Sequence, residues 1–182
     1  MLKKVLSVVL ALVLALGVCA VAASAATASQ LEELLKASNT KPKLCLRVNT
    51  NRASVEELLE KFDGRKSELS SRAILVKGSD ILNSEDFLCG KFSVQDETSI
   101  VCADIVDPKE GESVLDMCAA PGGKTMAMAE SLKVGDVLAM DIYEHKLALI
   151  EDQAKRLDLD NVKTRCQDST KLVEEFIGKF DK

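Results

Sequence analysis

From Gln30 onward, apolar runs of strand length alternate with stretches whose apolar residues recur at helical spacing. Leu31 to Lys36 reads as a helical piece, and the Ser38-Asn39-Thr40-Lys41-Pro42 stretch breaks it. Leu44 to Asn49 predicts a strand. Ser54 then predicts the cap of a helix with apolar positions at Val55, Leu58, Leu59 and Phe62. Ala73 to Val76 predicts a second strand, which closes a small β-α-β unit. Phe92 to Pro108 reads as a strand, a turn and a helix leading into a second unit.

In that second unit the alternation is clearest. Strands are predicted at Ser113 to Cys118, Asp136 to Asp141 and Val162 to Cys166, with a glycine-containing turn at Ala119 to Gly123. Helices are predicted at Lys124 to Leu132 and at Glu144 to Leu157, the latter with Leu147, Ile150, Ala154 and Leu157 on one face. A third is predicted at Ser169 to Lys179, with Leu172, Val173, Phe176 and Ile177 turned inward. Strand-helix alternation of this kind predicts an α/β fold with a parallel sheet. A fourth strand is expected to begin at Phe180-Asp181-Lys182.

The first 29 residues follow another pattern. Met1-Leu2-Lys3-Lys4 is a short basic start, Val5 to Ala23 is almost wholly apolar, and Ala23-Ser24-Ala25 offers small residues at a cleavage position. This reads as a cleaved signal peptide. An uncleaved membrane anchor is the rival, since the run approaches the ~20 residues a span needs. Leu16-Gly17-Val18-Cys19 hints at a lipoprotein site, but Val18 is bulky for one.

Composition narrows the possibilities. Apolar residues make up 47% of the chain, enough for a packed core. Aromatic residues are only 3%, without tryptophan, which argues against reading nucleic acid mainly by base stacking. The net charge of -5 leaves RNA contact to a local patch such as Lys41, Lys43, Arg47 and Arg52, which reads equally well as ordinary surface charge. After the leader, the cysteines are Cys45, Cys89, Cys102, Cys118 and Cys166, an odd number without CxxC spacing. They suggest neither a disulfide framework nor a zinc site, so no metal is expected. Cysteine usage therefore points to the cytoplasm while the leader points to export.

The candidate chemistry lies in DMCAAPGGKT, Asp116 to Thr125. Ligands of open parallel sheets bind beyond the carboxyl ends of the strands. Gly122 and Gly123 allow close backbone approach there, and the amides of a helix start can hold a carboxylate. Asp141 ends the second strand, where a carboxylate can accept both hydroxyls of a ribose, and Asp168 ends the third, within reach of an adenine. A phosphate loop is disfavoured, because Cys118 stands where its first glycine belongs. An ordinary α/β connection, with Asp141 and Asp168 as capping or solvated residues, is the plain alternative. His145, the only histidine, reads as solvated and lends no support to a hydrolase.

LDMCAAPGGKT, Leu115 to Thr125, resembles the first motif of the RNA (cytosine-5) methyltransferases of the Sun/Nop type, a family with bacterial ribosomal RNA members. Phe92 to Ser99 is similar to the family's Val-Gln-Asp segment, and Leu46 to Thr50 to its Leu-Arg-Val-Asn strand. The resemblance covers about Leu31 to Asp181. It implies the first three strands of a Rossmann-like methyltransferase fold, preceded by a small RRM-like unit and the signal-like helix. The implied organisation is a leader over 1–29, an RNA-contacting unit over 30–91 and an S-adenosylmethionine-binding core over 92–182.

The resemblance further implies that Cys118, Ala119, Ala120, Pro121, Gly122, Gly123 and Lys124 line S-adenosylmethionine, that Asp141 binds the ribose and that Asp168 lies near the adenine. The partner it implies is RNA, ribosomal in kind. Family members activate cytosine C5 by adding a cysteine thiolate to C6, and a second cysteine assists release. Those cysteines stand in Pro-Cys and Thr-Cys contexts on the fourth strand and beyond. The five here follow Leu44, Leu88, Val101, Met117 and Arg165, so no catalytic residue is assigned. Cys118 reads as a small buried residue at a strand end. The expectation is an inactive cofactor half, a fusion or fragment prone to aggregate. A secreted or surface-anchored non-enzymatic α/β module is the alternative, supported by the leader alone.

Overall fold

The computed structural model describes residues 28–40, 42–78 and 80–182. Nearly all of the signal-like leader, including its apolar run and cleavage position, and Lys41 of the basic cluster lie outside these residues. Among the described residues no helix is long and apolar enough to cross a membrane. Two units are distinguished, one ending at Pro42 and one running from Lys43 to Lys182. Within the first, helix α1 spans Ala28–Ser38, longer than the predicted piece and across the expected boundary at residue 29. A Glu32–Lys36 pair one turn apart supports it on its surface.

The second unit begins with an antiparallel sheet. Its strands are β1 (Leu44–Val48), β2 (Arg65–Lys66), β3 (Ala73–Val76) and β4 (Phe92–Val94), in the order β2-β3-β1-β4. Helix α2 (Val55–Lys61) starts as predicted, with Ser54 Oγ accepting the Glu57 amide at 3.1 Å. Leu46 and Val48 pack with Leu58, Ile74 and Phe92 on one face. Cys45, Ala73 and Leu75 pack on the other face with Ile100 of α4 (Glu97–Val106). Because β1 is covered on both faces, its alternate residues Cys45 and Arg47 are buried as well, as is Asn49 just after it. Strand β4, expected to open the core, is instead the edge strand of this first sheet, pairing Arg47 with Ser93. Short helix α3 (Glu85–Leu88) precedes it.

The parallel sheet follows in the order β5-β6-β7, from Ser113–Asp116, Asp136–Asp141 and Val162–Cys166. Helices α5 (Gly123–Ala129) and α6 (Glu144–Leu157) connect these strands. The predicted inward face of α6 is buried in full: Leu147, Ile150, Ala154 and Leu157 pack with Met126 and Ala139. Residues 181 and 182 run along the other side of β5. There the Asp181 amide donates to Ser113 O at 2.8 Å and the Leu115 amide to Lys182 O at 3.0 Å. Helices in between and strands in parallel give the Rossmann-like core and the preceding small α/β sheet that were expected.

The helix predicted over Ser169 to Lys179 does not form. That stretch contains only a 3-10 turn at Glu174–Phe176, and Leu172 and Ile177 are 79% and 69% exposed. A short amphipathic stripe is marginal unless its apolar face is packed. Here Val173 and Phe176 only rim an open cavity of about 430 Å³ beside Leu115, Met117 and Met140.

The five described cysteines are free thiols, and their surroundings differ sharply. Cys45 is 4% exposed, and burial, aided by the charges of Glu97 and Asp96, pushes its thiol up to about 12. Cys89, Cys102, Cys118 and Cys166 are exposed. Brief alkylation with iodoacetamide at pH 8 is expected to label those four and spare Cys45, because the thiolate is the reacting form. Peptide mass spectrometry that finds Cys45 labelled at their rate would contradict its burial.

Candidate functional site

The turn between β5 and α5 is built by packing and by hydrogen bonds from both ends. Asp116, the last residue of β5, accepts the Thr125 hydroxyl on Oδ2 at 2.7 Å, which ties the strand end to the first turn of α5. The Ala119 amide donates to Met140 O at 2.8 Å, which anchors the turn on β6 one residue before Asp141. Gly122 adopts φ +104 as the residue capping α5, and a Cβ there would stand 3.4 Å from Met126 Cε. The amides of Gly123 and Lys124 precede the first intrahelical bond, from Met126 to Gly122 O at 2.8 Å, and so face out of the helix.

These features frame a concavity of about 240 Å³. Cys118 to Pro121, Gly123 and Lys124 line it, together with Asp116 and Gln95. Gly122 lines the adjoining cavity of about 160 Å³, with Arg47, Gln95 and Arg156. Six of the seven turn residues expected at a cofactor thus share one hollow, and the seventh lies on its neighbour. Cys118 is exposed at this hollow, contrary to its expected burial, because the chain leaves the sheet after Asp116.

Asp141 and Asp168 do not line that hollow; they lie past the same edge of the sheet. Asp141 is the last residue of β6 and 9% exposed. Its Oδ1 accepts the Tyr143 amide at 3.2 Å, and among the described residues nothing donates to Oδ2. Asp168 lies two residues beyond β7 rather than at its end. Its Oδ1 accepts the Thr170 hydroxyl at 2.6 Å and the Thr170 amide at 3.0 Å, and Lys171 Nζ is 3.6 Å from Oδ2. Those bonds, the Thr170 hydroxyl first, hold the Asp168 carboxyl below its usual range. Each carboxylate thus spends Oδ1 on a local turn; Oδ2 of Asp141 is left free among the described residues, while that of Asp168 has Lys171 nearby.

Three arginines fasten the first sheet to this region. Arg47 is fully buried, with Nε and Nη2 donating to Glu130 at 3.1 and 2.8 Å. Its Nη1 donates to Gly123 O at 2.7 Å and to the Gln95 side-chain oxygen. Arg72 joins Asp104 and Ala127 O, and Arg156 joins Phe87 O, Phe92 O and Ser93. Arg47 is thus removed from the surface patch suggested for RNA phosphates, and Arg52 is paired with Asp158 at 2.8 Å. Sequence reasoning missed Arg47, Gln95 and Glu130 as residues of this region. The available signal was a lone arginine within an apolar strand, matching the Leu-Arg-Val-Asn segment.

Comparison with known proteins agrees with this architecture. A family model for the 16S rRNA methyltransferases RsmB/F matches residues 103–182, and one for the ferredoxin-like domain of RsmF/B-like methyltransferases matches residues 23–78. A Bacillus subtilis protein named "Probable ribosomal RNA small subunit methyltransferase B" is 40% identical over 149 residues, covering 78% of this chain and 33% of its own length. Ribosomal RNA small subunit methyltransferase B of Yersinia pestis is 34% identical over 140 residues, with 74% and 33% covered. The chain therefore spans about a third of the length of the curated relatives it matches.

Among solved structures, a methyltransferase homolog from Pyrococcus horikoshii superposes with a TM-score of 0.70 at 28% identity, covering 80% of this chain and 50% of that one. NSun6 from the same organism, solved with SFG, superposes with a TM-score of 0.64 at 20% identity, covering 71% and 59%, and shares the fold. With both of its sheets and its strand-turn-helix motif accounted for, the chain belongs to the RsmB/F family of 16S rRNA methyltransferases.

Proposed function

We propose that this chain is the cofactor-binding portion of an S-adenosylmethionine-dependent methyltransferase acting on cytosine C5 of ribosomal RNA. The observation that carries the reading is the hollow formed by Cys118 to Pro121, Gly123 and Lys124 at the carboxyl end of β5. Its lining suits the group: small side chains, outward amides at the start of α5, and one lysine, Lys124. Bound there, S-adenosylmethionine supplies a methyl group on a sulfonium. Residues 118–124 would receive its amino-acid end, Asp141 would accept the ribose hydroxyls on its free Oδ2, and Asp168 would lie toward the adenine. That NSun6 was solved with SFG supports looking for a small-molecule site in this fold.

The role assigned to these residues is binding and orientation. None of the five described cysteines follows Pro or Thr, the contexts of the family's nucleophile and its helper, so this chain is assigned no methyl transfer of its own. RNA is the partner and the cytoplasm the compartment of this reading. Residues 30–91 are assigned to RNA contact and 92–182 to the cofactor, with β4 shared by pairing into the first sheet.

Isothermal titration with S-adenosylhomocysteine tests the reading. The wild-type chain is expected to bind. Asp141→Ala and Gly123→Val, the latter placing a side chain where the backbone meets the hollow, are each expected to weaken binding by about tenfold or more, on the order of one lost charged hydrogen bond. Binding unchanged in both variants, or methylation of cytosine by the 182-residue chain, would overturn the respective part of the assignment.

A further inference from the structure

The Arg47 guanidinium divides its donors between two tasks. Nε and Nη2 form a fork on the Glu130 carboxylate, and Nη1 points away from that pair to Gly123 O and the Gln95 side-chain oxygen. The fork alone would neutralise the buried charge. Both Nη1 acceptors belong to the wall of the hollow, which Gln95 and Gly123 line together.

Gln95 makes the second bond informative. With its oxygen held by Arg47, its amide orientation is set, and Nε2 faces Gly123 at 3.5 Å from where a Cβ would stand. Among the described residues that Nε2 is buried without a hydrogen-bond partner. A position serving only packing would favour an apolar side chain over a buried donor left unmet. The glutamine is therefore explained by what its oxygen and shape do at the turn.

We infer that Arg47 is a positioning residue for the cofactor turn, holding the Gly123 carbonyl and the Gln95 side chain where the bound cofactor requires them. The inference rests on the function proposed above. Binding sites lose affinity when their supporting contacts let the lining move by about 1 Å. Lysine cannot replace Arg47, because one ammonium cannot fork on Glu130 and also reach the turn.

Titration calorimetry with S-adenosylhomocysteine, paired with thermal melts of the full chain, separates positioning from stability. Arg47→Met/Glu130→Met removes the ion pair in favour of apolar groups and should melt within a few degrees of wild type. It should bind about tenfold or more weakly, as should Arg47→Lys. Glu130→Gln leaves both Nη1 bonds in place, so it should lower the melting temperature and leave affinity within about twofold. Arg47 variants that fold and bind like wild type overturn the inference, as does Glu130→Gln that loses affinity equally. Should neither Arg47 variant fold, Gln95→Leu decides: weaker binding at an unchanged melting temperature supports the inference, and unchanged binding overturns it. A wild-type chain that binds nothing overturns the function reading itself, and this inference with it.

Discussion

Glu130→Ala is expected to destabilise the chain by about 3–5 kcal/mol, the cost of leaving a buried guanidinium without its counter-charge. The Arg47 and Glu130 side chains are 0% and 3% exposed, so water cannot replace the lost carboxylate. A second cation raises the stakes. Burial first, and then the charge of Arg47, push the Arg156 guanidinium below its usual value, while Glu130 acts in the opposite direction. Removing Glu130 takes away the charge that favours the Arg156 cation and leaves that of Arg47 opposing it. The Glu130 backbone carbonyl would still accept the Asn51 side chain at 2.7 Å, so the variant isolates the carboxylate. Urea unfolding followed by circular dichroism measures the loss, and a change below about 1 kcal/mol would show that solvent reaches the pair after all.

What could be read from the chain, and what could not, divides by the range of the interactions involved. The Ser54 cap acts over three residues, and the α6 stripe of Leu147, Ile150, Ala154 and Leu157 acts over successive turns. Both are visible within a window and both were met in the structure. The turn at Ala119 to Gly123 was legible because its glycines and the strand before it are contiguous. Arg47 was not, because its burial depends on Glu130, 83 residues away. Seen locally, it alternates with Leu46 and Val48 and reads as the solvent side of a strand. Cover from α4, whose Ile100 packs on the same face of the sheet, adds to that burial. Strand β4 was misplaced for a similar reason. Its composition predicts a strand, but its partner β1 is chosen by long-range packing. The stretch from Ser169 to Lys179 errs in the other direction, since its stripe is real and its packing surface is not. Asp141 ends β6 while Asp168 lies two residues past β7; each spends Oδ1 on the amide two residues on, and what separates them is Lys171 Nζ, 3.6 Å from the other oxygen of Asp168.

Gly135→Ala should cost about 3 kcal/mol or more, through two separable effects. Gly135 adopts φ +120, a conformation that side-chain-bearing residues rarely enter, at a cost of about 1–3 kcal/mol. A Cβ there would also stand 2.4 Å from the Glu112 carbonyl oxygen, a backbone atom that cannot swing aside. Relieving such overlap costs typically about 1–3 kcal/mol more, because segments must shift. The shift has a direction. Gly135 immediately precedes Asp136, whose partner across the sheet is Ser113, so the clash pries β6 away from β5 at its first pair. Gly111 supplies an internal control on the opposing loop, with its amide bonded to Val134 O at 2.8 Å. It also has positive φ, at +88, but a Cβ there would meet nothing within 4 Å. Gly111→Ala should therefore cost only the conformational part, about 1–2 kcal/mol. Urea midpoints of the two variants, measured side by side with the slope held common, give the difference directly. Equal losses would mean that the β5–β6 entry loops are free to part, and that contact with Glu112 contributes nothing to holding the sheet in register.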